Sequence, residues 1–136
     1  MKDVITKEEI INHPIKKVWD AISKEDEISK WFLNANFKAE VGASYTFSST
    51  GEQCTKITGE VKEANPYTLV YTWVVENTDV ITTVKWILEE QGESTKLYLE
   101  HSGISNYSDE SAIQMFESFS GGWQDCISKL QAYVLN

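Results

Sequence analysis

His101 is the residue best suited to hydrogen-bonding or acid–base chemistry near neutral pH. It ends the run Leu97-Tyr98-Leu99-Glu100-His101, where strict alternation puts Leu97, Leu99 and His101 on one face of a strand. On a concave, apolar face its imidazole has two roles open to it. It can bond a ligand carbonyl or hydroxyl, or it can bond a nearby loop and serve the fold. Catalysis would need a second group, and no residue forms an obvious constellation with His101. The carboxylate runs Glu8-Glu9, Glu25-Asp26-Glu27, Glu89-Glu90 and Asp109-Glu110 fall on strand ends, turns and helix starts, where they read as solvated surface. A glycosidase-like pair facing one cleft is not visible. His13 is the other of the two histidines, so a zinc site of the usual type is not expected. Ser120-Gly121-Gly122 superficially resembles a nucleophile turn, but it lies within a helical pattern and has no paired base. A P-loop, a dinucleotide G-x-G-x-x-G and a G-x-S-x-G elbow are absent. No catalytic residue, metal or cofactor is expected.

The aromatic residues are the second chemical resource. Tyr45, Phe47, Tyr71, Trp73, Trp86, Phe116, Phe119 and Trp123 all fall on periodic apolar faces, and most are expected in the core. Ligand pockets are lined by such rings with a few polar groups among them. Phe47, Trp73, Trp86, Phe119 and Trp123 are therefore expected to border a cavity of roughly 300 Å³ or more. Leu99 and His101 would share that lining, and the hydroxyls of Tyr45 and Tyr71 would be its polar handles. Trp31 and Phe32 are expected to pack against the open end of the sheet. Asn106 and Tyr107 fall where a pocket mouth would be, either gating access or simply solvated.

These residues need elements to position them. Val4 to Asn12 reads as a first strand. Pro14 suits the first position of a helix, whose face is Ile15, Val18, Trp19 and Ile22. A second short helix from about Asp26 carries Ile28, Trp31 and Phe32, with acids at its positive end. From Asn36 the pattern alternates. Tyr45 and Phe47 share a face, as do Ile57 and Val61, then Leu69, Tyr71 and Trp73, then Val84, Trp86 and Leu88 in a strand from about Val80 to Glu90. Turn signals separate the runs at Val41-Gly42, Gly51, Asn65-Pro66, Glu76-Asn77-Thr78-Asp79 and Gln91-Gly92-Glu93-Ser94. Such short connections imply antiparallel neighbours.

Ser108, Asp109 and Glu110 cap a last helix. Its stripe, Phe116, Phe119, Trp123, Cys126, Ile127, Leu130 and Tyr133, runs between Met115 and Val134. A helix of about 20 residues would be roughly 30 Å long, enough to cross a curved sheet and leave a cavity beneath. Gly121 and Gly122 interrupt it, each at roughly 1 kcal/mol relative to alanine. The pair is expected either to let the helix approach a strand or to widen the cavity beside Trp123.

Composition bounds the rest. The 136 residues suit a single domain over 1–136, and 41% hydrophobic with 24% charged residues is ordinary for a globular fold. No apolar run approaches a membrane span. The charged N-terminus does not read as a signal peptide, so a cytoplasmic location is expected. Cys54 and Cys126, the only two cysteines, suggest neither a disulfide nor a metal site. A net charge of −9 argues against nucleic acid and anionic membrane as main partners. Nothing in the sequence sets the oligomeric state.

The layout is α+β: a strand, two short helices, about six antiparallel strands and a long helix, with about six to seven strands in the sheet. It resembles the START-like, Bet v 1-like helix-grip fold of the SRPBCC superfamily. Within it the chain is similar to bacterial homologues of the heat-shock-protein-90 ATPase activator C-terminal domain. The matching residues are Pro14 with Val18-Trp19-Asp20-Ala21-Ile22, Ile28-Ser29-Lys30-Trp31-Phe32, Gly42-Ala43-Ser44-Tyr45-Thr46-Phe47, Gly59-Glu60-Val61, Pro66-Tyr67-Thr68-Leu69-Val70-Tyr71-Thr72-Trp73, Leu97-Tyr98-Leu99-Glu100-His101-Ser102-Gly103 and Gly122-Trp123 with Leu130. Each is weak alone; in order, they point to this family. The resemblance implies a curved sheet wrapped around the last helix. Three functions are expected from it: binding of a small hydrophobic or amphipathic ligand (lipid-, polyketide- or flavonoid-like), interaction with a chaperone, or a small cyclase or dehydratase. Ligand binding without catalysis leads, because a cyclase would need several polar groups inside the cavity and none forms a catalytic constellation with His101.

Overall fold

The computed structural model describes residues 3–32, 34–48, 56–65, 67–76 and 78–135. Gly51, Cys54, Pro66 and Asn77 lie outside the described residues. The elements are β1 (Ile5–Ile11), α1 (Ile15–Ser23), α2 (Glu25–Trp31), β2 (Asn34–Asn36), β3 (Ser44–Ser48), β4 (Lys56–Asn65), β5 (Thr68–Val75), β6 (Thr82–Gln91), β7 (Ser94–Ser102) and α3 (Asp109–Leu135). A single 3₁₀ turn, Ile104–Asn106, joins β7 to α3.

The strands form one antiparallel seven-stranded sheet in the order β1-β7-β6-β5-β4-β3-β2. Period-two alternation sets its inner face. Thr82, Val84, Trp86 and Leu88 of β6 are buried, as are Thr95, Leu97, Leu99 and His101 of β7. Register aligns them across strands: Val84 opposite His101, Trp86 opposite Leu99, Trp73 opposite Thr82. The helices lie on this face, giving the expected helix-grip arrangement.

Pro14 stands one residue outside α1 rather than at its first position. Its ψ of 147° is extended, and its carbonyl accepts from the Lys17 and Val18 amides at 3.0 and 3.3 Å. β6 starts at Thr82, not Val80, which leaves Ile81 56% exposed.

Helix α3 has 27 residues, about 40 Å at 1.5 Å per residue, longer than the apolar stripe suggests. Its first turn, Asp109-Glu110-Ser111-Ala112, has little apolar content to mark it. The two halves of α3 seat differently. Trp123, Cys126, Ile127, Leu130 and Val134 are buried after the glycines, whereas before them only Ala112 is. Met115, Phe116 and Phe119 are half-buried.

Gly121 and Gly122 are exposed, and a Cβ built on either meets nothing within 4 Å. The expected explanations, close approach to a strand and widening of an interior cavity, are therefore both overturned. At 100° per residue Gly122 lies about 100° and Gly121 about 200° around the helix from Trp123, which turns the pair toward water.

Among the described residues no helix is long and apolar enough to cross a membrane.

Candidate functional site

The inner face of β5–β7 and the stripe of α3 bring His101, Thr82, Trp73 and Trp123 together. His101 is fully buried. Its Nε2 lies 2.6 Å from Thr82 Oγ1, and Trp123 Nε1–H donates to its Nδ1 at 2.9 Å. An indole nitrogen can only donate. Nδ1 therefore carries a lone pair, and the ring is the neutral tautomer with its proton on Nε2. That proton goes to Thr82 Oγ1, whose own hydroxyl proton goes to the Trp73 carbonyl at 3.2 Å. A directed chain results: Trp123, His101, Thr82, then the backbone of β5. Burial holds the His101 pKa down at about 4, and Phe119 stacks on the ring with centroids 4.7 Å apart. Both ring nitrogens are thus used within the protein, and His101 ties α3 to the sheet.

Around this chain lies an aromatic cluster. Trp123 packs against Trp73 and Trp86, with centroids 5.2 and 5.8 Å away. Phe47 lies 6.3 Å from Trp73, and Phe32, at the end of α2, contacts both Phe47 and Trp123. Trp31 is anchored by Nε1–H donation to the Ala21 carbonyl at 2.8 Å. Trp86 Nε1–H donates to the Tyr71 hydroxyl at 2.9 Å.

The Tyr45 hydroxyl donates to the Thr72 carbonyl, reaching from β3 across β4 to β5. Gly59 makes that reach possible. A Cβ there would lie 2.1 Å from the Thr72 oxygen and 2.7 Å from the Tyr45 ring. Burial pushes the pKa of both tyrosines up, so each stays a neutral phenol.

Two buried polar atoms stand outside these pairings. Trp73 Nε1–H and the Tyr107 hydroxyl have no hydrogen-bond partner among the described residues. Their residues are only 6% and 7% exposed. Thr78 lies close enough to pull the Tyr107 pKa down, against a larger upward push from burial. Its own hydroxyl donates to the Val75 carbonyl at 2.7 Å and keeps its acceptor lone pairs. Trp73 and Tyr107 flank one ring, Phe119, with centroids 6.4 and 6.3 Å from it. They therefore lie beneath the half-buried part of α3.

The model of the family described as activator of Hsp90 ATPase homolog 1-like protein matches residues 12–135. The chain belongs to this family. A search of curated proteins finds no match. Among solved structures it is similar to protein MLL2253 from Mesorhizobium loti, with a TM-score of 0.85, 24% identity and 96% of each chain covered. It is also similar to protein BH1534 from Bacillus halodurans, with a TM-score of 0.78, 28% identity, and 98% of this chain and 97% of that one covered. CalU16 from Micromonospora echinospora gives a TM-score of 0.77 at 23% identity, over 96% of this chain and 75% of that one.

In this member of the Hsp90 ATPase activator homologue family, Tyr45, Phe47, Tyr71, Trp73, Trp86, Leu99, His101, Phe119 and Trp123 lie on the inner face of the sheet or on the apolar stripe of α3. All are buried except half-buried Phe119. The hydroxyls of Tyr45 and Tyr71 are engaged within the sheet, and Trp73 Nε1–H has no partner among the described residues. Sequence reasoning placed Tyr107 in a solvated or gating loop and passed over Thr82 and Phe37. Extending the Val84-Trp86-Leu88 alternation backward by two residues reaches Thr82. Phe37 follows β2, a strand too short to show a period. Asn106 is exposed and donates to the Ile81 carbonyl at 2.9 Å, holding the loop to β6. Among the described residues no group of His, Cys, Asp and Glu could hold a metal ion.

Proposed function

We propose that this chain binds a small hydrophobic or amphipathic molecule, lipid-, polyketide- or flavonoid-like, between the first half of α3 and the sheet, without transforming it. The observation that carries this reading is the uneven seating of α3. Met115, Phe116 and Phe119 cover the aromatic cluster yet stay half-exposed. An apolar surface continuous with the interior gains about 25 cal/mol per Å² when a ligand covers it. His101 shapes the site and does not touch the ligand, because both its nitrogens are taken.

A panel of such compounds tests the proposal by thermal melting and amide NMR. A ligand at a hundred times its Kd stabilises the fold by about 2.7 kcal/mol, a readily measured rise in Tm. The amides of residues 112–120 should shift first. A panel producing neither effect would sink the idea.

The family match supports a second reading, contact with a chaperone. Stoichiometric recovery of a chaperone in a pull-down would favour it over small-molecule binding.

A further inference from the structure

We infer that the ligand carries a neutral hydrogen-bond acceptor, a ketone-, ester- or amide-type carbonyl oxygen, received by Trp73 Nε1–H. The inference rests on the binding function proposed above and specifies the ligand's chemistry. The other buried tryptophans show how this chain treats an indole N–H. Trp31, Trp86 and Trp123 each donate to a protein acceptor at 2.8–2.9 Å. Trp73 alone among them has none. A dry, unpaired donor costs about 1–3 kcal/mol, and folded proteins leave few of them.

A buried water does not resolve the deficit, because it would need two to four polar partners. The rings packed on Trp73 are Phe47, His101, Phe119 and Trp123. The only polar one, His101, has both nitrogens spent. The missing partner is therefore an acceptor, and among the described residues none supplies it. An indole N–H cannot accept, so an ammonium leaves the Trp73 donor unpaired. A carboxylate would have to shed its hydration among apolar rings. A neutral carbonyl on a flat apolar body meets both demands.

The test uses a pair of probes of equal shape, 2-acetylnaphthalene and 2-isopropenylnaphthalene, which differ only in C=O against C=CH₂. Affinities are measured by NMR titration of the intact chain. Two altered proteins are added: Tyr107→Phe, and a chain whose Trp73 indole is replaced by its sulfur isostere, benzothiophene. Both keep the packing and remove one donor. The expected result is a roughly tenfold preference for the ketone and a downfield shift of the Trp73 indole proton. The preference should persist in Tyr107→Phe and vanish with benzothiophene. Equal affinity for the two probes in the natural chain overturns the inference and leaves the binding function standing. A preference that survives loss of the Trp73 N–H overturns it too. Failure of both probes to bind overturns the binding function and the inference with it.

Discussion

A proton added to His101 at Nδ1 would face the indole N–H of Trp123, two donors with no acceptor between them. Burial already disfavours the cation, and the pKa falls from the ordinary 6.5 to about 4. The sign follows from linkage. Below pH 6.5 the unfolded chain binds a proton at this residue that the folded chain refuses, so stability drops until the folded state also titrates near pH 4. The expected loss across that window is roughly 3 kcal/mol. Denaturant melts of the natural chain and of His101→Gln should converge as pH falls from 7 to 4. Parallel pH profiles would show that His101 is not the group responsible. Alternation alone marked His101 as inward-facing. Its partners were not legible, because Thr82 and Trp123 come from β6 and α3 and lie 19 and 22 residues away. Nor could spacing reveal that Trp73 would be the indole left without an acceptor, since that depends on where every neighbouring carbonyl ends up.

At the level of elements, α3 is the informative one. Its three-and-four spacing correctly gave the buried face. The glycines were misread because a motif match tied Gly122 to Trp123, although 100° per residue already turns it well away. With open space at both positions, nothing in the packing offsets their conformational cost. Gly121→Ala and Gly122→Ala should each stabilise the protein by about 0.5–1 kcal/mol, additively, as read by chemical denaturation. A loss of stability would mean that one of the glycines serves a contact absent from the isolated chain. Contrast Gly59, where the Tyr45 ring and the Thr72 carbonyl fill the place of a side chain. The strand runs were legible from alternation and turn residues. The short β2 was not, because Asn34-Ala35-Asn36 has neither length nor apolar period.

On the scale of the whole molecule, the start of the chain is clasped to the loop before α3. Asp3 accepts from the Ser105 amide and hydroxyl at 2.8 and 2.6 Å and, more weakly, from the Gly103 amide at 3.4 Å. Its backbone carbonyl accepts from the Ile104 amide at 3.2 Å. The Ser105 bonds hold the carboxyl below its usual 3.8. The clasp is therefore intact above that pH and is lost as acid protonates the folded carboxylate. Asp3→Ala should raise amide exchange at Gly103 and Ser105 while hardly moving the global melt, because Asp3 lies at the surface. Unchanged exchange would discount the clasp. A contact spanning a hundred residues leaves no trace in local sequence. The pairing of β1 with β7 likewise leaves no trace in local sequence. The two-part seating of α3 has one further consequence, and it is kinetic. A molecule bound as proposed beneath the half-buried part of α3 would leave no faster than that part lifts. Affinity would then depend on the rings beneath, and residence time on how often Met115, Phe116 and Phe119 come away from them.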